Sequence, residues 1–239
     1  DPLWTSFLKS CIVLAMQDFY GRSIVKSWKI TPLGSGGLLL IEPPVYQDER
    51  GEFFESWNER TFAGLGIPVR FVQDNQSLSL RRGTLRGIHF QTGEFAQAKL
   101  IRCTSGAIQD AAVDLRKDSP DYLRVFTVDL PADDARMLFI PRGFGHGFLT
   151  LEDQTIVQYK ADAFYEPGSE GSIRWNDPVL GIDWKLPEGM TPILSQKDAA
   201  APYLRDSSKN PLKAFATGFK RDFEASEAGG VLIINIGTK

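Results

Sequence analysis

Histidine and cysteine are both scarce in this chain of 239 residues, with two of each. Cys11 and Cys103 lie far apart, and a single distant pair has neither the spacing of a disulfide framework nor that of a zinc site. We therefore expect no structural disulfide. A reducing compartment, and hence a cytoplasmic location, is the expectation that fits this cysteine usage.

Long apolar runs and an excess of positive charge are also absent. The apolar run from Cys11 to Met16 is too short to cross a bilayer, and Lys9 is the first basic residue before it, so a secretory signal is not indicated. The formal net charge is −3, which argues against a nucleic-acid binder held by a global positive field. We expect neither a membrane nor a nucleic acid as partner, and an anionic ligand would need a local cluster of arginine and lysine.

Apolar residues are plentiful, at 42% of the chain, and they fall into many short segments separated by turn signals. This spacing is typical of a β-sandwich or jelly roll. The predicted strands are Leu38–Ile41, Phe53–Trp57, Arg70–Gln73, Gln76–Leu80, Thr84–Gln91, Ala98–Thr104, Ala107–Leu115, Leu123–Leu130, Arg136–Ile140, His146–Thr150 and Thr155–Ala161.

Helical patterns are few and lie at the periphery. Asn58 can cap a short helix that runs to Leu65, and residues 209–225 carry phenylalanines at helical spacing. Residues 162–205 are rich in Pro, Gly and Asp and are predicted to form ordered loops with short helical turns. We predict a mainly β domain over residues 28–205, an N-terminal extension over 1–27, and a C-terminal extension over 206–239 with an amphipathic helix and a short strand or tail at 231–236.

The two histidines each lie in an aromatic and glycine-rich setting, Gly-Ile-His89-Phe-Gln and Gly-Phe-Gly-His146-Gly-Phe. Because their settings are alike, the two histidines predict one shared interior pocket. Histidine is suited to a functional role there, since it exchanges protons near neutral pH. The motif Pro141-x-Gly-x-x-His146 recurs in small jelly rolls of the cupin type. Metal-binding cupins place a His-x-His pair on the earlier hairpin, and here Gln91 replaces the second histidine, so no metal is expected.

A series of motifs closely resembles, in order from about Trp28 to Leu204, the dTDP-4-dehydrorhamnose 3,5-epimerase family. These motifs are Asp48–Gly51, Phe71–Asn75, Leu85–Gln91, Gln97–Arg102, Ala112–Arg116, Ile140–Phe148, Tyr159-Lys160, Trp175–Pro178 and Leu194–Asp198. The resemblance implies a cupin-like fold and an isomerase that needs no cofactor. Its substrate would be a 4-keto-6-deoxyhexose linked to dTDP, whose C3 and C5 protons are acidic because both carbons adjoin the C4 ketone.

The resemblance assigns the catalytic roles. His89 matches the base, and Asp198 matches the carboxylate that raises its basicity and sets its tautomer. Lys99 matches the group that stabilises the enolate at O4. Tyr159 matches the acid on the opposite face, and His146 matches the second histidine of the pocket, which orients the sugar or the oxyanion.

The resemblance also assigns binding roles. Arg50 and Arg86 match the pyrophosphate contacts, because guanidinium groups suit phosphate oxygens. The remaining matches concern the nucleotide or its pocket, partly across a homodimer, and they are Glu55, Gln73, Asn75, Phe164 and Tyr165. Dimer pairing is expected to cover a sheet edge that residues 38–57 would otherwise expose.

Two alternatives to double epimerisation stay open at this point. One is a C3-only epimerase or a ketoisomerase of a related deoxysugar pathway, and the presence of Tyr159 favours double epimerisation over it. The other is a non-catalytic sugar-binding jelly roll, which would need no base such as His89.

Overall fold

A computed structural model of the chain describes residues 27–205 and the backbone of residues 224–228 and 231–235. Strands dominate it, with two short α-helices and three single turns of 3-10 helix. The strands are β1 (Lys29–Leu33), β2 (Leu38–Glu42), β3 (Tyr46–Asp48), β4 (Gly51–Phe53), β5 (Gln73–Ser79), β6 (Leu85–Gln91), β7 (Lys99–Ser105), β8 (Ala107–Asp114), β9 (Val125–Pro131), β10 (Met137–Ile140), β11 (Phe144–Thr150), β12 (Thr155–Ala161), β13 (Glu170–Ser172), β14 (Glu224–Ala228) and β15 (Val231–Asn235). The helices are α1 (Glu59–Gly64) and α2 (Gln196–Ala199).

Two antiparallel sheets form the body of the fold. The six-stranded sheet has the order β1-β2-β10-β7-β12-β5, and the five-stranded sheet has the order β13-β6-β11-β8-β9. Apart from the pairs β1–β2 and β8–β9, neighbouring strands are not consecutive in sequence, as in a jelly roll, where strands cross repeatedly between layers. The predicted mainly β, cupin-like jelly roll with a few short peripheral helices is confirmed.

The central core lies between the two sheets. Alternate side chains of each strand point inward, so Leu38 of β2, Ile101 of β7 and Ile108 of β8 belong to one buried cluster. Full burial of one such side chain contributes roughly 1.5–3 kcal/mol to folding. This cluster fills one part of the space between the sheets, and polar side chains line the rest.

The outer faces of both sheets are also covered, which explains why several strands lack alternation in sequence. Phe62 of α1 and Ile67 pack on the outer face of the six-stranded sheet against Leu39. Leu180 and Trp184, from the loops after β13, pack on the outer face of the five-stranded sheet. All eight residues of β8 are consequently buried, on both faces of the strand.

The helix predicted after Asn58 is confirmed. The Asn58 side chain accepts hydrogen bonds from the backbone N–H groups of Arg60 and Thr61, and the helix ends at Gly64. Two neighbouring strand predictions are wrong, because β4 ends at Phe53 and β5 begins at Gln73. The intervening segment covers the outer face of the sheet, and its aromatic residues pack there rather than alternating along a strand.

The expectation that residues 38–57 expose a sheet edge is also wrong for β2, the main strand of this segment. β2 lies between β1 and β10, so its backbone hydrogen bonds are used on both sides. The edges of the six-stranded sheet are β1 and β5. Residues 46–53 form a separate exposed hairpin, β3–β4, with Phe53 72% exposed.

Residues 162–205 form the ordered loops predicted for them, with one 3-10 turn, the short strand β13 and helix α2. Residues 1–26 and 206–223 lie outside the described residues. They include nearly all of the predicted N-terminal extension and nearly all of the helix predicted at 209–225. Glu224 and Ala225, its last two residues, belong instead to β14, which pairs with β15. The division into two extensions and one domain stays a prediction.

None of the helices in the described part of the chain has the length and apolar character of a membrane span.

Candidate active site

A cavity of about 320 Å³ lies between the two sheets and contains all five predicted catalytic side chains. They come from strands β6, β7, β11 and β12 and from helix α2, and they are His89, Lys99, His146, Tyr159 and Asp198. Arg86, Gln91, Tyr165 and Glu170 also line this cavity. The sheets therefore bring together residues that are more than a hundred positions apart.

A β-bulge in β6 places Arg86 and His89 on the same side. His89 pairs with His146 and Arg86 pairs with Phe148, so β6 has one residue more than β11 between the two pairs. In a regular strand, residues three apart point to opposite faces. Gly87 is required here, because its φ is +110° and an added Cβ would lie 2.6 Å from the His146 carbonyl oxygen.

His89 and Asp198 form the first histidine–aspartate pair. His89 Nε2 lies 2.5 Å from Asp198 Oδ1, and the other carboxylate oxygen, Oδ2, accepts a hydrogen bond from Ser195 Oγ at 2.7 Å. Burial alone would raise the pKa of Asp198, but the hydrogen bonds from His89 and Ser195 outweigh it and hold the pKa below its usual range. An ionised carboxylate only accepts, so Nε2 carries the proton and Nδ1 keeps the basic lone pair.

A loop pinned to β6 delivers Asp198 to His89. Ile193 forms a parallel bridge with Thr84, and its carbonyl oxygen accepts a hydrogen bond from the Leu85 N–H at 3.0 Å. Ser195 then caps helix α2 by accepting from the Asp198 N–H at 3.0 Å. The distant carboxylate is thus held by the strand that carries the histidine.

His146 and Asp110 form a second pair, deeper between the sheets. His146 Nε2 lies 2.8 Å from Asp110 Oδ2. The Asp110 side chain is 0% exposed, and its Oδ1 has no hydrogen-bond partner among the described residues, whereas the His89 side chain is 30% exposed. The second pair is therefore enclosed, and the first faces the open cavity.

Lys99 and Tyr159 extend from neighbouring strands, and Lys99 Nζ lies 5.8 Å from the centre of the Tyr159 ring. Burial lowers the pKa of Lys99 to about 8, although the carboxylates of Asp110 and Glu170 oppose the shift. Burial also raises the pKa of Tyr159 above its usual value, with Arg86 opposing. At a pH near the pKa of Lys99, its ammonium group can take part in proton transfer, and so can the neutral phenol of Tyr159.

The predicted binding residues divide between the cavity and its surroundings. Arg86 and Tyr165 line the cavity. Phe164 lies directly before Tyr165 in the same loop and is 68% exposed. Gln73 donates to Asn75 Oδ1 at 3.0 Å, and Asn75 lines a second cavity of about 220 Å³ beside Tyr159.

Arg50 and Glu55 do not line the main cavity of the described chain. Arg50 forms an ion pair with Asp48 at the tip of the β3–β4 hairpin, and its side chain is 84% exposed. Glu55 accepts a hydrogen bond from the Asn58 side chain at 3.1 Å.

Sequence reasoning missed Glu170 and Ser195, which line this cavity, and Asp110, which contacts the cavity residue His146. Glu170 accepts from the Tyr165 hydroxyl at 2.8 Å and forms an ion pair with Lys197, and these partners hold its pKa below the usual range against the opposing effect of burial. Ser195 could have been found as a helix-capping residue. Asp110 had a signal in the alternation of β8, since it shares the inward face with Ile108 and Ala112.

Metal ligands are not grouped in this cavity. Within residues 27–205, no three His, Cys, Asp or Glu side chains lie together as ligands of one ion. Gln91 occupies the position where metal-binding cupins carry a histidine. Its side-chain amide forms hydrogen bonds with the backbone groups of Phe95, Phe164 and Glu166.

Comparison with known proteins identifies the family of the chain. The sequence model of the family described as dTDP-4-dehydrorhamnose 3,5-epimerase matches residues 33–206. The enzyme of that name from Salmonella typhimurium is 53% identical over 168 residues, which are 70% of this chain and 90% of the relative.

Solved structures show the same relationship. The dTDP-4-dehydrorhamnose 3,5-epimerase from Bacillus anthracis, with TDP and pyrophosphate bound, is 44% identical with a TM-score of 0.72, over 74% of this chain and all of that one. The dTDP-6-deoxy-D-glucose-3,5-epimerase from Legionella pneumophila, in complex with dTDP-4-keto-L-rhamnose, is 43% identical with a TM-score of 0.70, over 74% and 93% of the two chains. The chain therefore belongs to the dTDP-4-dehydrorhamnose 3,5-epimerase family.

Proposed function

We propose that the protein inverts C3 and C5 of a dTDP-linked 4-keto-6-deoxyhexose, converting dTDP-4-dehydro-6-deoxyglucose into dTDP-4-dehydrorhamnose in deoxysugar biosynthesis. The observation that carries this proposal is the placement of a histidine–aspartate base, an ammonium group and a phenol around one cavity. A sugar-binding protein has no need for a base held by a 2.5 Å hydrogen bond to a buried carboxylate.

Proton removal is the first step. His89 Nδ1 takes the proton from C3, the electrons of the C–H bond move into the C3–C4 bond, and the C4 carbonyl oxygen becomes an enolate. Asp198 stabilises the resulting imidazolium through Nε2. Lys99 in its ammonium form stabilises the enolate oxygen, and charge in such an enclosed site lowers a barrier by several kcal/mol.

Inversion requires a proton on the opposite face. At C5, His89 removes the proton in a second step of the same kind, and Tyr159, which lies across the cavity on β12 in the sheet that faces β6, donates the proton that completes inversion. At C3, a proton from solvent water completes inversion on that face, and His89 and Tyr159 return to their starting protonation states by proton exchange with water. His146, fixed by Asp110, orients the sugar or the enolate oxygen. Proton removal and return leave the oxidation state of the substrate unchanged, so the chemistry consumes no cofactor.

The nucleotide is assigned to the mouth of the cavity. Arg86 faces the pyrophosphate, and the exposed Phe164 and Tyr165 face the base or sugar. Arg50, Glu55, Gln73 and Asn75 contribute to the nucleotide pocket, partly across a homodimer. The exposed β3–β4 hairpin supports this arrangement, because its Arg50 side chain is 84% exposed and does not line the cavity of its own chain. A cytoplasmic location completes the proposal.

Incubation with dTDP-4-keto-6-deoxyglucose in heavy water, followed by NMR, tests the proposed function. We expect deuterium at both C3 and C5 and formation of the 4-dehydrorhamnose product. Deuterium at C3 alone would identify a C3-only epimerase, and a change in the position of the carbonyl would identify a ketoisomerase. Binding of the sugar nucleotide without any exchange would refute catalysis and leave a sugar-binding protein.

A further inference from the structure

Gln91 is a buried polar residue that the catalytic mechanism does not use. It ends strand β6, two residues after His89, and is only 6% exposed. A buried amide is costly unless its donors and its acceptor are all satisfied.

The partners of Gln91 are three backbone groups. Its Nε2 donates to the carbonyl oxygens of Phe95 at 2.8 Å and Phe164 at 3.3 Å, and its Oε1 accepts from the Glu166 N–H at 2.7 Å. Two carbonyl acceptors and one N–H donor are compatible with only one orientation of the amide. The side chain therefore connects β6 to the loop formed by residues 162–166, which we call the aromatic loop.

Two further glutamines hold the same loop. Gln97 Nε2 donates to the Ala163 carbonyl oxygen at 2.8 Å, and Gln73 Oε1 accepts from the Tyr165 N–H at 3.0 Å. At its start, the Asp162 side chain accepts from the Ala98 N–H at 2.7 Å. The aromatic loop is thus bound at each of its residues by groups from outside it, which is unusual for a surface loop.

The two aromatic side chains of this loop are exposed. Phe164 is 68% exposed and Tyr165 is 50% exposed, and Tyr165 lines the main cavity. Large exposed aromatic groups on a fixed backbone form a surface suited to a planar ligand, since little entropy is lost when the ligand binds.

We propose that Gln91 is a positioning residue for the nucleotide substrate, which presets Phe164 and Tyr165 as a rigid platform at the mouth of the cavity. This inference rests on the proposed function, and it assigns to Gln91 a role distinct from that of a replaced metal ligand. Gln91 acts through the aromatic loop and transfers no proton.

The test compares Gln91→Met with Gln109→Met. Gln109 is a matched control, because it is 2% exposed and also bonds only backbone groups, the Asp183 carbonyl oxygen and the Lys185 N–H, both at 2.7 Å. We expect Gln91→Met to raise KM for dTDP-4-keto-6-deoxyglucose, and Kd for dTDP, by about tenfold while kcat changes less than about threefold. Gln109→Met should lower Tm and leave KM within about twofold.

A double-mutant cycle identifies the route of the effect. In a Phe164→Ala/Tyr165→Ala background, Gln91→Met should change KM no further, because the platform is already lost. An effect that persists in this background would overturn the proposal, as would equal KM changes in Gln91→Met and Gln109→Met. Gln91→Glu, which keeps the size but cannot donate, should behave like Gln91→Met.

Hydrogen exchange of the wild-type protein decides the matter if neither Gln91 variant folds. The Tyr165 and Glu166 amides should exchange as slowly as those of β12, and rapid exchange at both would show that the loop is not held. A wild-type protein that produces no isotope exchange in the sugar would refute the proposed function itself. A wild-type protein that is active but has a rapidly exchanging loop would refute only the role of Gln91.

Discussion

Both histidines that line the cavity are paired with an aspartate, and the two pairs have the same chemistry and different surroundings. In the first pair, His89 is 30% exposed and both oxygens of Asp198 accept hydrogen bonds. In the second pair, His146 and Asp110 are 7% and 0% exposed, and one oxygen of Asp110 has no hydrogen-bond partner within the part of the chain that the structure describes. An exposed and fully supported imidazole can exchange a proton with a ligand, whereas an enclosed one is suited to hold an orientation or a charge.

Assembly also differs between the pairs. His146 and Asp110 lie on the adjacent strands β11 and β8, so sheet pairing alone brings them together. Asp198 reaches His89 through a loop that is bound to the start of β6. The pair assigned to proton removal therefore depends on a tertiary contact, and the second pair depends on strand register.

The largest expected effect separates the two histidines. His89→Ala should reduce deuterium exchange at both C3 and C5 by about 10³-fold or more, because no other base is assigned to that face. His146→Ala should slow turnover and keep measurable exchange. Exchange is measured by NMR in heavy water, and wild-type exchange rates in His89→Ala would rule out His89 as the base.

The aspartates of the two pairs should differ in the same direction as the histidines, with the larger loss of activity in the first pair. Asp198→Asn should lower kcat by about 10²–10⁴-fold, since an amide that donates to Nε2 moves the imidazole proton to Nδ1 and removes the basic lone pair. The measurement is steady-state kinetics together with a thermal melt. Loss of activity that only parallels a loss of folded protein would contradict a role in setting the tautomer.

Tyr159→Phe tests the acid on the opposite face. We expect exchange at C3 to be retained and inversion at C5 to fall by about 10²-fold, because phenylalanine keeps the ring and lacks the hydroxyl. Product analysis by NMR separates the two centres. Equal losses at C3 and C5 would be inconsistent with a proton donor specific to C5.

Lys99 should set the alkaline limit of activity. Because burial lowers the pKa of Lys99 to about 8, its ammonium loses the proton as the pH rises through that value, and the stabilisation of the enolate is lost above it. A profile of kcat against pH should fall near pH 8. In Lys99→Arg this fall, the alkaline limb of the pH profile, should be absent up to about pH 10, since guanidinium stays charged. An unchanged alkaline limb would show that another group causes it.

The smallest effect concerns Asp110, which opposes the lowering of the Lys99 pKa. Asp110→Asn keeps an oxygen that can accept from His146 and removes the negative charge, so the ammonium is less favoured. The alkaline limb should move to lower pH, with activity at pH 7 reduced less than about tenfold. A shift of the limb to higher pH would contradict this coupling.

Much of the site was predictable from short motifs, and the reasons are local. His89, Lys99, His146 and Tyr159 lie within strands whose apolar neighbours could be recognised, and α1 was predicted from its capping residue Asn58. Strand ends were less predictable near residues 53–73, where aromatic residues cover the sheet instead of alternating. Glu170 was missed because a single acidic residue in a short strand has no pattern of its own, whereas Asp110 could have been found from its place on the inward face of β8 with Ile108 and Ala112.

The sequence by itself determined the class of the fold, the pair of histidines and the replacement of a metal-ligand histidine by Gln91, since each depends on residue type and spacing. Only the tertiary structure decided which side chains meet. The bulge at Gly87 places Arg86 beside His89, the loop at Ile193 brings Asp198 to it, and burial lowers the pKa of Lys99. These outcomes depend on strand register and on exclusion of water, which are properties of the packed sheets and not of any one segment.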